Sequence, residues 1–186
     1  MTKESRKCGP AIVLIGFMGS GKSTVSKQLA LRTGMPRYDT DEIVTTKTGM
    51  PITEIFAQRG EEEFRLLETE ALAQIPDRAA IVVTGGGIVL RAENVTRLRE
   101  LGLVVNLSAT EQILFDRISR RDTRPLLKTG NPRKTLSELW RVREPLYRAA
   151  ADFTLDTSRL RHGEVAEAIL SRMESVRSSV EAGNHE

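Results

Sequence analysis

The chain has 186 residues, of which 39% are hydrophobic and 28% are charged, and its formal net charge is +3. This length suits one domain with a substantial core and is short for two, and the composition is ordinary for a soluble protein. The small charge does not by itself indicate a nucleic-acid partner, and no apolar run approaches the ~20 residues of a membrane-spanning helix.

The cysteine and histidine contents narrow the chemistry further. One cysteine, Cys8, lies in the polar leader "MTKESRKCGP", which lacks the apolar segment of a signal peptide. Because a single thiol forms no internal disulfide, we expect a cytoplasmic protein. Two histidines, His162 and His185, complete the set, so histidine-based catalysis and histidine-rich metal sites are disfavoured.

Apolar runs alternate with helical patterns along the chain. Strands are predicted at "AIVLIG" (11–16), around "MPRYD" (35–39), and at "AAIVVTGGG" (79–87), "LGLVVNLS" (101–108) and "ADFTLDTS" (151–158). Helices are predicted at 22–33, 40–47, 52–58, 61–75, 91–100, 110–121, 133–150 and 163–177. This alternation predicts a three-layer α/β/α fold around a five-stranded parallel sheet. We expect one domain with a core at about 11–173 and polar tails at 1–9 and 178–186.

The segment "GFMGSGKS", from Gly16 to Ser23, matches the pattern G-x-x-x-x-G-K-[ST] in full. It follows a predicted strand and opens a predicted helix, which is the setting of a phosphate-binding loop. Lys22 is expected to reach the β- and γ-phosphates, and Ser23 to bind Mg²⁺. The predicted nucleotide-binding residues of this segment are Gly19, Ser20, Gly21, Lys22, Ser23 and Thr24. No N-K-x-D guanine signature follows, so ATP is favoured over GTP.

Three carboxylates crowd the segment "YDTDE", residues 38–42. Asp39, followed three residues later by Glu42, fits the capping box at the start of a helix. Taken alone, the segment favours that structural interpretation. Ligands of doubly wound sheets bind beyond the carboxyl ends of the strands, however, and this segment is predicted at such an end. Asp41 is therefore also a candidate functional carboxylate.

The segment "FAQRGEEEFRLLETE" (56–70) allows two interpretations. Glutamates that follow Gly60 suit the start of a helix, and Glu61 and Arg65 have the spacing of a surface ion pair. Phe56 and Phe64 suit a hydrophobic core. The local pattern favours a purely structural role for all of them.

Two glycine- or proline-containing segments are predicted to face a ligand. "TGGG" (84–87) follows a buried strand, and bare backbone there would let a ligand approach closely, although a flexible loop is the simpler alternative. "RRDTRPLLKTGNPRKT" (120–135) is basic and interrupted by Pro125, Gly130 and Pro132. A linker would explain those breaks, and so would a mobile lid that closes over phosphates with Arg124.

Together these motifs resemble shikimate kinases, small P-loop enzymes related to nucleoside-monophosphate kinases. The resemblance runs from about Ala11 to Met173 and rests on "GFMGSGKST", "YDTDE", "IFAQRGEEEFRLLE", "TGGG", "TRPLL" and "REPLYRAAAD" in the family's order. It implies transfer of a phosphoryl group from ATP to shikimate, with Mg²⁺, in the pathway to the aromatic amino acids. A monomer without nucleic-acid or membrane partners is expected.

The resemblance also implies roles for matching positions around the nucleotide. Lys22 and Arg124 would act on the transferring phosphate together with the base Asp41, which would hold the acceptor hydroxyl and take its proton. Asp39 would support Mg²⁺ through water, and Arg117 would lie on the adenine. A departure from the family is His162-Gly163, where many relatives place a residue such as proline against the adenine.

For the acceptor, the resemblance implies that Arg65 and Arg143 grip the shikimate carboxylate and that Glu68 orients Arg65. Phe56 and Phe64 would wall the pocket, and Gly85, Gly86 and Gly87 would line it.

Three alternatives stay open at this stage. A gluconate-kinase-like enzyme of the same superfamily would use another polyol acid. An adenylate kinase is disfavoured, because triple glycine stands where a base-reading loop is expected. A kinase-like domain that senses ligand without catalysis would bind ligand with negligible turnover.

Overall fold

The structure is a computed structural model that describes residues 9–120 and 131–182. Within these residues five strands alternate with seven α-helices and one short 3-10 helix. In chain order they are β1 (Ala11–Ile15), α1 (Lys22–Thr33), β2 (Arg37–Asp39), α2 (Thr40–Thr48), α3 (Ile52–Ala73), β3 (Ile81–Val83), the 3-10 helix (Ile88–Leu90), α4 (Ala92–Leu101), β4 (Gly102–Ser108), α5 (Glu111–Ser119), α6 (Pro132–Ala150), β5 (Phe153–Asp156) and α7 (His162–Ala182).

The five strands form one parallel sheet in the order β2-β3-β1-β4-β5. At its centre, Ile12 of β1 is in register with Ile81 of β3 and Leu103 of β4. Because parallel strands end at the same edge, the loops after β1, β2 and β3 lie side by side. The predicted α/β fold with a five-stranded parallel sheet is confirmed. The sheet brings the phosphate loop, the segment "YDTDE" and the segment "TGGG" to one edge.

The core lies on both faces of the sheet, and β1 is buried throughout. Val13 and its alternate neighbours pack with residues of α3, α4, α5 and α6, whereas Ile12 and Leu14 pack with α1 and α7. Successive strand side chains point to opposite faces, so a strand covered by helices on both sides must be apolar at every position. This explains the unbroken run "AIVLI".

Two predicted elements have a boundary that differs from the structure by more than two residues. The predicted strand 79–87 is a strand only from Ile81 to Val83, because its glycines turn away from the sheet and lead into the 3-10 helix. The helix predicted at 163–177 begins at His162 and continues to Ala182, so residues 178–182 of the predicted polar tail 178–186 are helical. The segment "SSVEA" contains no helix breaker, and the next glycine is Gly183.

The predicted lid 120–135 overlaps the start of α6. Pro132 is the first helical residue, and the side chain of Asn131 caps the helix by accepting a hydrogen bond from the N–H of Lys134 at 3.2 Å. Residues 132–135 are therefore helical, and 121–130 lie outside the described residues. In the part of the chain that the structure describes, no helix has the length and apolarity that crossing a membrane requires.

Candidate active site

The loop after β1 forms one side of a cavity of about 350 Å³. Gly21, with φ of +99°, adopts a left-handed conformation that favours glycine and turns the chain into α1 at Lys22. The first turn of α1 therefore faces the cavity with the positive end of the helix. The residues that line the cavity are Gly19, Gly21, Lys22, Ser23, Thr24, Arg117, Ile118, Arg120 and His162. Such a cavity is suited to bind phosphates.

The ammonium group of Lys22 lies against this loop. Its Nζ donates hydrogen bonds to the carbonyl oxygens of Gly16 at 2.6 Å and Phe17 at 3.2 Å. These two bonds place a positive charge beside the loop. Ser20, the buried residue at the centre of the loop, donates its N–H to the Phe17 carbonyl at 3.2 Å.

Arg117 and His162 reach the same cavity from the other side of the sheet edge. Arg117 lies in α5 and donates to Gly19 O at 3.4 Å and to the backbone oxygen of Thr157 at 2.7 Å. His162 is the first residue of α7, and a Cβ on Gly21 would lie 3.4 Å from its imidazole. The sequence singles out both positions, but it gives no sign of Thr157.

Asp39 and Glu42 only partly form the predicted capping box. Asp39 is the N-cap of α2, and its Oδ1 accepts a hydrogen bond from the N–H of Asp41 at 3.1 Å. Glu42 does not return to the cap, because both of its oxygens accept hydrogen bonds from Arg37, at 2.5 and 2.6 Å. Arg37 also donates to Asp39 Oδ2 at 3.1 Å. The cap prediction is confirmed for Asp39, and the reciprocal prediction for Glu42 is wrong.

Asp41 points away from this cap and towards the glycines after β3. A Cβ on Gly85 would lie within 2.5 Å of both Asp41 Oδ1 and Glu68 Oε1, so the two carboxylates converge on the bare backbone of this glycine. The N–H of Gly85 donates to the hydroxyl of the fully buried Thr40 at 3.0 Å. Through this hydrogen bond Thr40, which sequence reasoning missed, holds Gly85 beside Asp41, the next residue of α2.

Arg65 is almost fully buried, with 7% of its surface exposed, and it lies between two carboxylates. Its Nη1 donates to Glu68 Oε2 at 2.5 Å, and its Nη2 and Nε donate to Glu61 Oε1 at 2.7 and 3.2 Å. The predicted ion pair of Arg65 with Glu61 is present. It is not a surface pair, however, because the Arg65 guanidinium is buried. The second pair, with Glu68, agrees with the predicted orienting role of Glu68.

Opposing effects act on the two charges of the Arg65–Glu68 pair. Burial lowers the pKa of the Arg65 guanidinium, but the carboxylates of Glu68 and Glu61 more than offset this, so its pKa lies above the ordinary value. Burial raises the pKa of Glu68 to about 7, Asp41 adds to this rise, and Arg65 and Arg143 oppose it. The Oε1 atom of Glu68 is buried without a hydrogen-bond partner among the described residues.

Phe56 and Phe64 form an aromatic surface under Arg65. Their ring centroids are 4.6 Å apart, and the Arg65 guanidinium lies 5.2 Å from the Phe64 centroid and 5.8 Å from that of Phe56. A guanidinium over aromatic faces is attracted by the ring quadrupoles. Phe64 is buried and Phe56 is half-buried, so the two rings serve as core and as a wall beside the arginine.

Each glycine of the turn 85–87 faces a different partner. Gly85 faces the two carboxylates, and a Cβ on Gly87 would lie 2.6 Å or less from the guanidinium nitrogens of Arg65. Around Gly86 there is more room, with the Tyr147 hydroxyl 3.6 Å and the N–H nitrogen of Met18 3.8 Å from the Cβ position. The turn therefore lies between the Asp41–Arg65 cluster and the phosphate loop.

Residues of α6 close the cluster from the side. Arg143 is buried, and it acts electrostatically on Glu68 and on Tyr147, one helical turn further along. Burial raises the pKa of Tyr147, so its phenol stays protonated and donates a hydrogen bond to the Gly86 carbonyl. Tyr147 was missed as a site residue, although its spacing of four from Arg143 on a predicted helix was the available signal.

The residues present fit a magnesium ion that is bound chiefly by phosphates and water. Among the described residues no group of three or more His, Cys, Asp or Glu side chains could hold a metal ion. Mg²⁺ in phosphoryl-transfer sites is held by one or two protein oxygens together with the substrate phosphates and water. Ser23 lines the cavity, and Asp39 is buried with both oxygens in hydrogen bonds, so a contact through water suits it.

Most of the predicted site residues thus meet at one edge of the sheet, in two adjoining groups. The first surrounds the cavity beside the phosphate loop, and the second surrounds the turn 85–87. Arg124, the predicted lid residue, lies outside the described residues.

A parallel sheet that carries a phosphate-binding loop beside a carboxylate and arginine cluster defines a P-loop kinase. The comparisons with known proteins give the particular family: the family model described as shikimate kinase matches residues 18–174. The chain belongs to the shikimate kinase family, as the sequence motifs predict.

Similar proteins agree with this assignment over most of the chain. A shikimate kinase of Thermodesulfovibrio yellowstonii is 44% identical over 164 residues, which cover 88% of this chain and 94% of the relative. The solved shikimate kinase of Acinetobacter baumannii, in complex with shikimate, has a TM-score of 0.84 at 35% identity and covers 91% of this chain and 95% of its own. That of Aquifex aeolicus has a TM-score of 0.76 at 32% identity, with 88% of this chain and 96% of its own covered.

Proposed function

We propose that this protein transfers the γ-phosphoryl group of ATP to a hydroxyl group of shikimate, which yields ADP and shikimate 3-phosphate for the synthesis of aromatic amino acids. One observation carries the proposal: Gly86 lies against both the phosphate loop and Tyr147 of the acidic and basic cluster. A phosphate donor and a hydroxyl acceptor bound to the two groups would be neighbours, and such proximity supplies much of the rate enhancement in phosphoryl transfer.

The cluster has the chemistry that a carboxylate-bearing polyol needs. Arg65 already binds Glu61 through one edge, where Nε and Nη2 share one carboxylate oxygen. That edge is the geometry with which arginine recognises carboxylates, and Glu61 is mostly exposed, so an incoming carboxylate could take its place. Arg143 would supply the second positive charge for the shikimate carboxylate. Phe56 and Phe64 would pack on the apolar face of the shikimate ring.

Asp41 is the proposed base. As the bond between the acceptor oxygen and the γ-phosphorus forms, the bond from that phosphorus to the ADP oxygen breaks, and the hydroxyl proton moves to the Asp41 carboxylate. Lys22 would offset the negative charge of the phosphates, and backbone N–H groups of the phosphate loop, such as that of Gly21, would hold them in place. Arg124 is proposed to add positive charge from the lid, and Arg117 to lie on the adenine.

The proposal includes Mg²⁺, held through Ser23 and, by way of water, Asp39. The ion would neutralise phosphate charge, as it does in other phosphoryl-transfer sites. We propose a monomer without nucleic-acid or membrane partners, since one chain supplies every side chain of the candidate site. A cytoplasmic location is proposed because ATP is the donor.

The proposal is tested by ADP release from the purified protein with Mg-ATP and no acceptor, shikimate or gluconate. We expect ADP release with Mg-ATP only when shikimate is the acceptor. The Arg65→Ala variant should show a KM for shikimate raised at least about tenfold with a smaller change in kcat, because a carboxylate grip acts on bound substrate and transition state alike. The exposed Arg59, on the same helix, provides the matched control Arg59→Ala, which should behave as the unaltered protein.

Other outcomes would redirect the assignment. Turnover with gluconate and none with shikimate would keep the kinase class and overturn the acceptor. Binding of ADP and shikimate without turnover would indicate a ligand sensor. An unchanged KM for shikimate in Arg65→Ala would leave that arginine a purely structural residue.

A further inference from the structure

Thr157, the residue that follows β5, joins three parts of the nucleotide site. Its side chain is buried, with 3% of the residue surface exposed. Its hydroxyl has a single proton, which is shared between the carbonyl oxygen of Ser108 at the end of β4, at 2.9 Å, and that of Ser20 in the phosphate loop, at 3.2 Å. The same oxygen accepts a hydrogen bond from Arg117 Nη1 at 3.1 Å.

The bond to Ser20 bears on the loop's ability to bind phosphate. In a planar trans peptide the carbonyl oxygen and the following N–H point in opposite directions. The Ser20 carbonyl oxygen faces Thr157, which is not among the residues that line the cavity, so the N–H of Gly21 points away from Thr157. Gly21 lines the cavity, and the hydroxyl of Thr157 thereby fixes the orientation of a phosphate-binding donor.

The bonds to Arg117 fix a second group at the cavity. Arg117 donates to Thr157 twice, through Nη1 to the hydroxyl and through Nη2 to the backbone oxygen at 2.7 Å. A planar guanidinium that donates two hydrogen bonds to acceptors of one residue loses most of its rotational freedom. Its Nη1 also donates to Gly19 O at 3.4 Å, so the arginine and the loop are held as one unit.

From this network we infer that Thr157 is a positioning residue for the nucleotide, acting through its hydroxyl on the Gly21 N–H and on the Arg117 guanidinium. The inference rests on the proposed function in one respect, that the cavity binds the nucleotide. Nothing in the network involves Asp41, Arg65 or the turn 85–87, so the effect of Thr157 should be confined to the nucleotide and should not extend to the acceptor.

The test compares Thr157→Val, which keeps the shape and removes the hydroxyl, with Thr157→Ser, which keeps the hydroxyl and removes a methyl group. Titration calorimetry measures the Kd for Mg-ADP and, separately, for shikimate. We expect a Kd for Mg-ADP about tenfold higher in Thr157→Val, the size of effect that loss of hydrogen bonds to a charged group gives. In Thr157→Ser it should stay within about twofold of the unaltered protein, because the same hydrogen bonds remain. The Kd for shikimate should be unchanged in both.

Thr96→Val is the matched control, because it removes a threonine hydroxyl that bonds only its own helix, to Ala92 O in α4. If Thr157→Val does not fold, Thr157→Ala removes the same hydroxyl with a smaller side chain and takes its place. Unchanged Mg-ADP binding without the hydroxyl, or an equal loss in the serine variant, would overturn the inference. So would an equal weakening of ADP and shikimate. If the protein does not phosphorylate shikimate but the Kd values for Mg-ADP change as expected, the proposed reaction is wrong and the inference about Thr157 stands.

Discussion

At the scale of single residues, the turn 85–87 is the part of the site with the least room for change. Gly85 and Gly87 are each approached by charged side chains that occupy the place of a Cβ, whereas Gly86 has ordinary van der Waals distances around it. Glycine at the first and third positions is therefore required by neighbouring side chains, independently of backbone conformation.

This difference predicts an order of activities. In Gly85→Ala the new methyl group would displace Asp41 and Glu68, so we expect kcat to fall at least about a hundredfold, as loss of a positioned general base does. In Gly86→Ala the nearest atom is 3.6 Å from the methyl, and activity should be retained to a much greater extent. Steady-state kinetics with shikimate measures both, and thermal melting checks folding. Equal activities of the two variants would contradict the assigned contacts.

Residue-scale features also mark the limit of sequence reasoning. Lys22, Ser23 and the glycines of the phosphate loop were identifiable because their spacing is itself the signal. Thr40 and Thr157 were not, because each acts through one hydroxyl group on a backbone atom distant in sequence, 45 and 137 residues away. No local pattern records such a contact.

At the scale of elements, α3 is the piece that shapes the acceptor side. The chain is non-helical at Gly60, with φ of 81° and ψ of 174°, a conformation that is essentially restricted to glycine. The bend separates Phe56 from Phe64 and Arg65, and yet the two rings meet at 4.6 Å. The two helices predicted at 52–58 and 61–75 are thus the two arms of this bent helix.

We therefore expect Gly60→Ala to act on stability and on acceptor binding together. An alanine here costs about 1–3 kcal/mol of unfolding free energy, because its Cβ disfavours the conformation. Nothing lies within 4 Å of the Cβ position, so the cost is conformational and not steric. Any relief of the strain would move Phe56 relative to Arg65 and raise the KM for shikimate.

Gly34→Ala is the matched control for this variant. Gly34 ends α1 with φ of 68° and also has an open Cβ position, but it is not part of the candidate site. It should lower the unfolding free energy and leave the KM for shikimate unchanged. A KM change of the same size in both variants would show that the bend at Gly60 has no specific role.

Element boundaries were predictable where patterns are strong and not where tertiary contacts decide. The run "AIVLI" and the phosphate loop fixed β1 and the start of α1 from sequence. The end of β3 depended on the neighbours of Gly85, whereas the break in α3 at Gly60 agrees with the gap between the helices predicted at 52–58 and 61–75.

At the scale of the whole molecule, the buried charges of the site have a cost for stability. Burial raises the pKa of Glu68 to about 7 from an ordinary value of 4.5. Between these values the folded protein holds a proton that the unfolded chain has released. The stabilisation from this proton is complete below pH 4.5 and is lost as the pH rises through 7.

Glu68→Gln removes this proton equilibrium and tests it. Urea denaturation at several pH values gives the unfolding free energy of both proteins. We expect the unaltered protein to lose stability relative to Glu68→Gln as the pH rises from 4.5 to 8, by at most about 3 kcal/mol, since one pKa unit corresponds to about 1.4 kcal/mol. A difference that is independent of pH, or that grows in favour of the unaltered protein, would contradict the raised pKa.

We propose that the two groups of side chains at the sheet edge cooperate in one phosphoryl transfer with Asp41 as the base. Phosphorus NMR of the product formed from Mg-ATP and shikimate by the unaltered protein and by Asp41→Asn tests this cooperation. We expect a phosphate ester of shikimate as the product of the unaltered protein, and a kcat for Asp41→Asn lower by about 10²–10⁴ with the KM for ATP within about twofold. Undiminished ester formation by Asp41→Asn, or inorganic phosphate as the sole product of the unaltered protein, would contradict it.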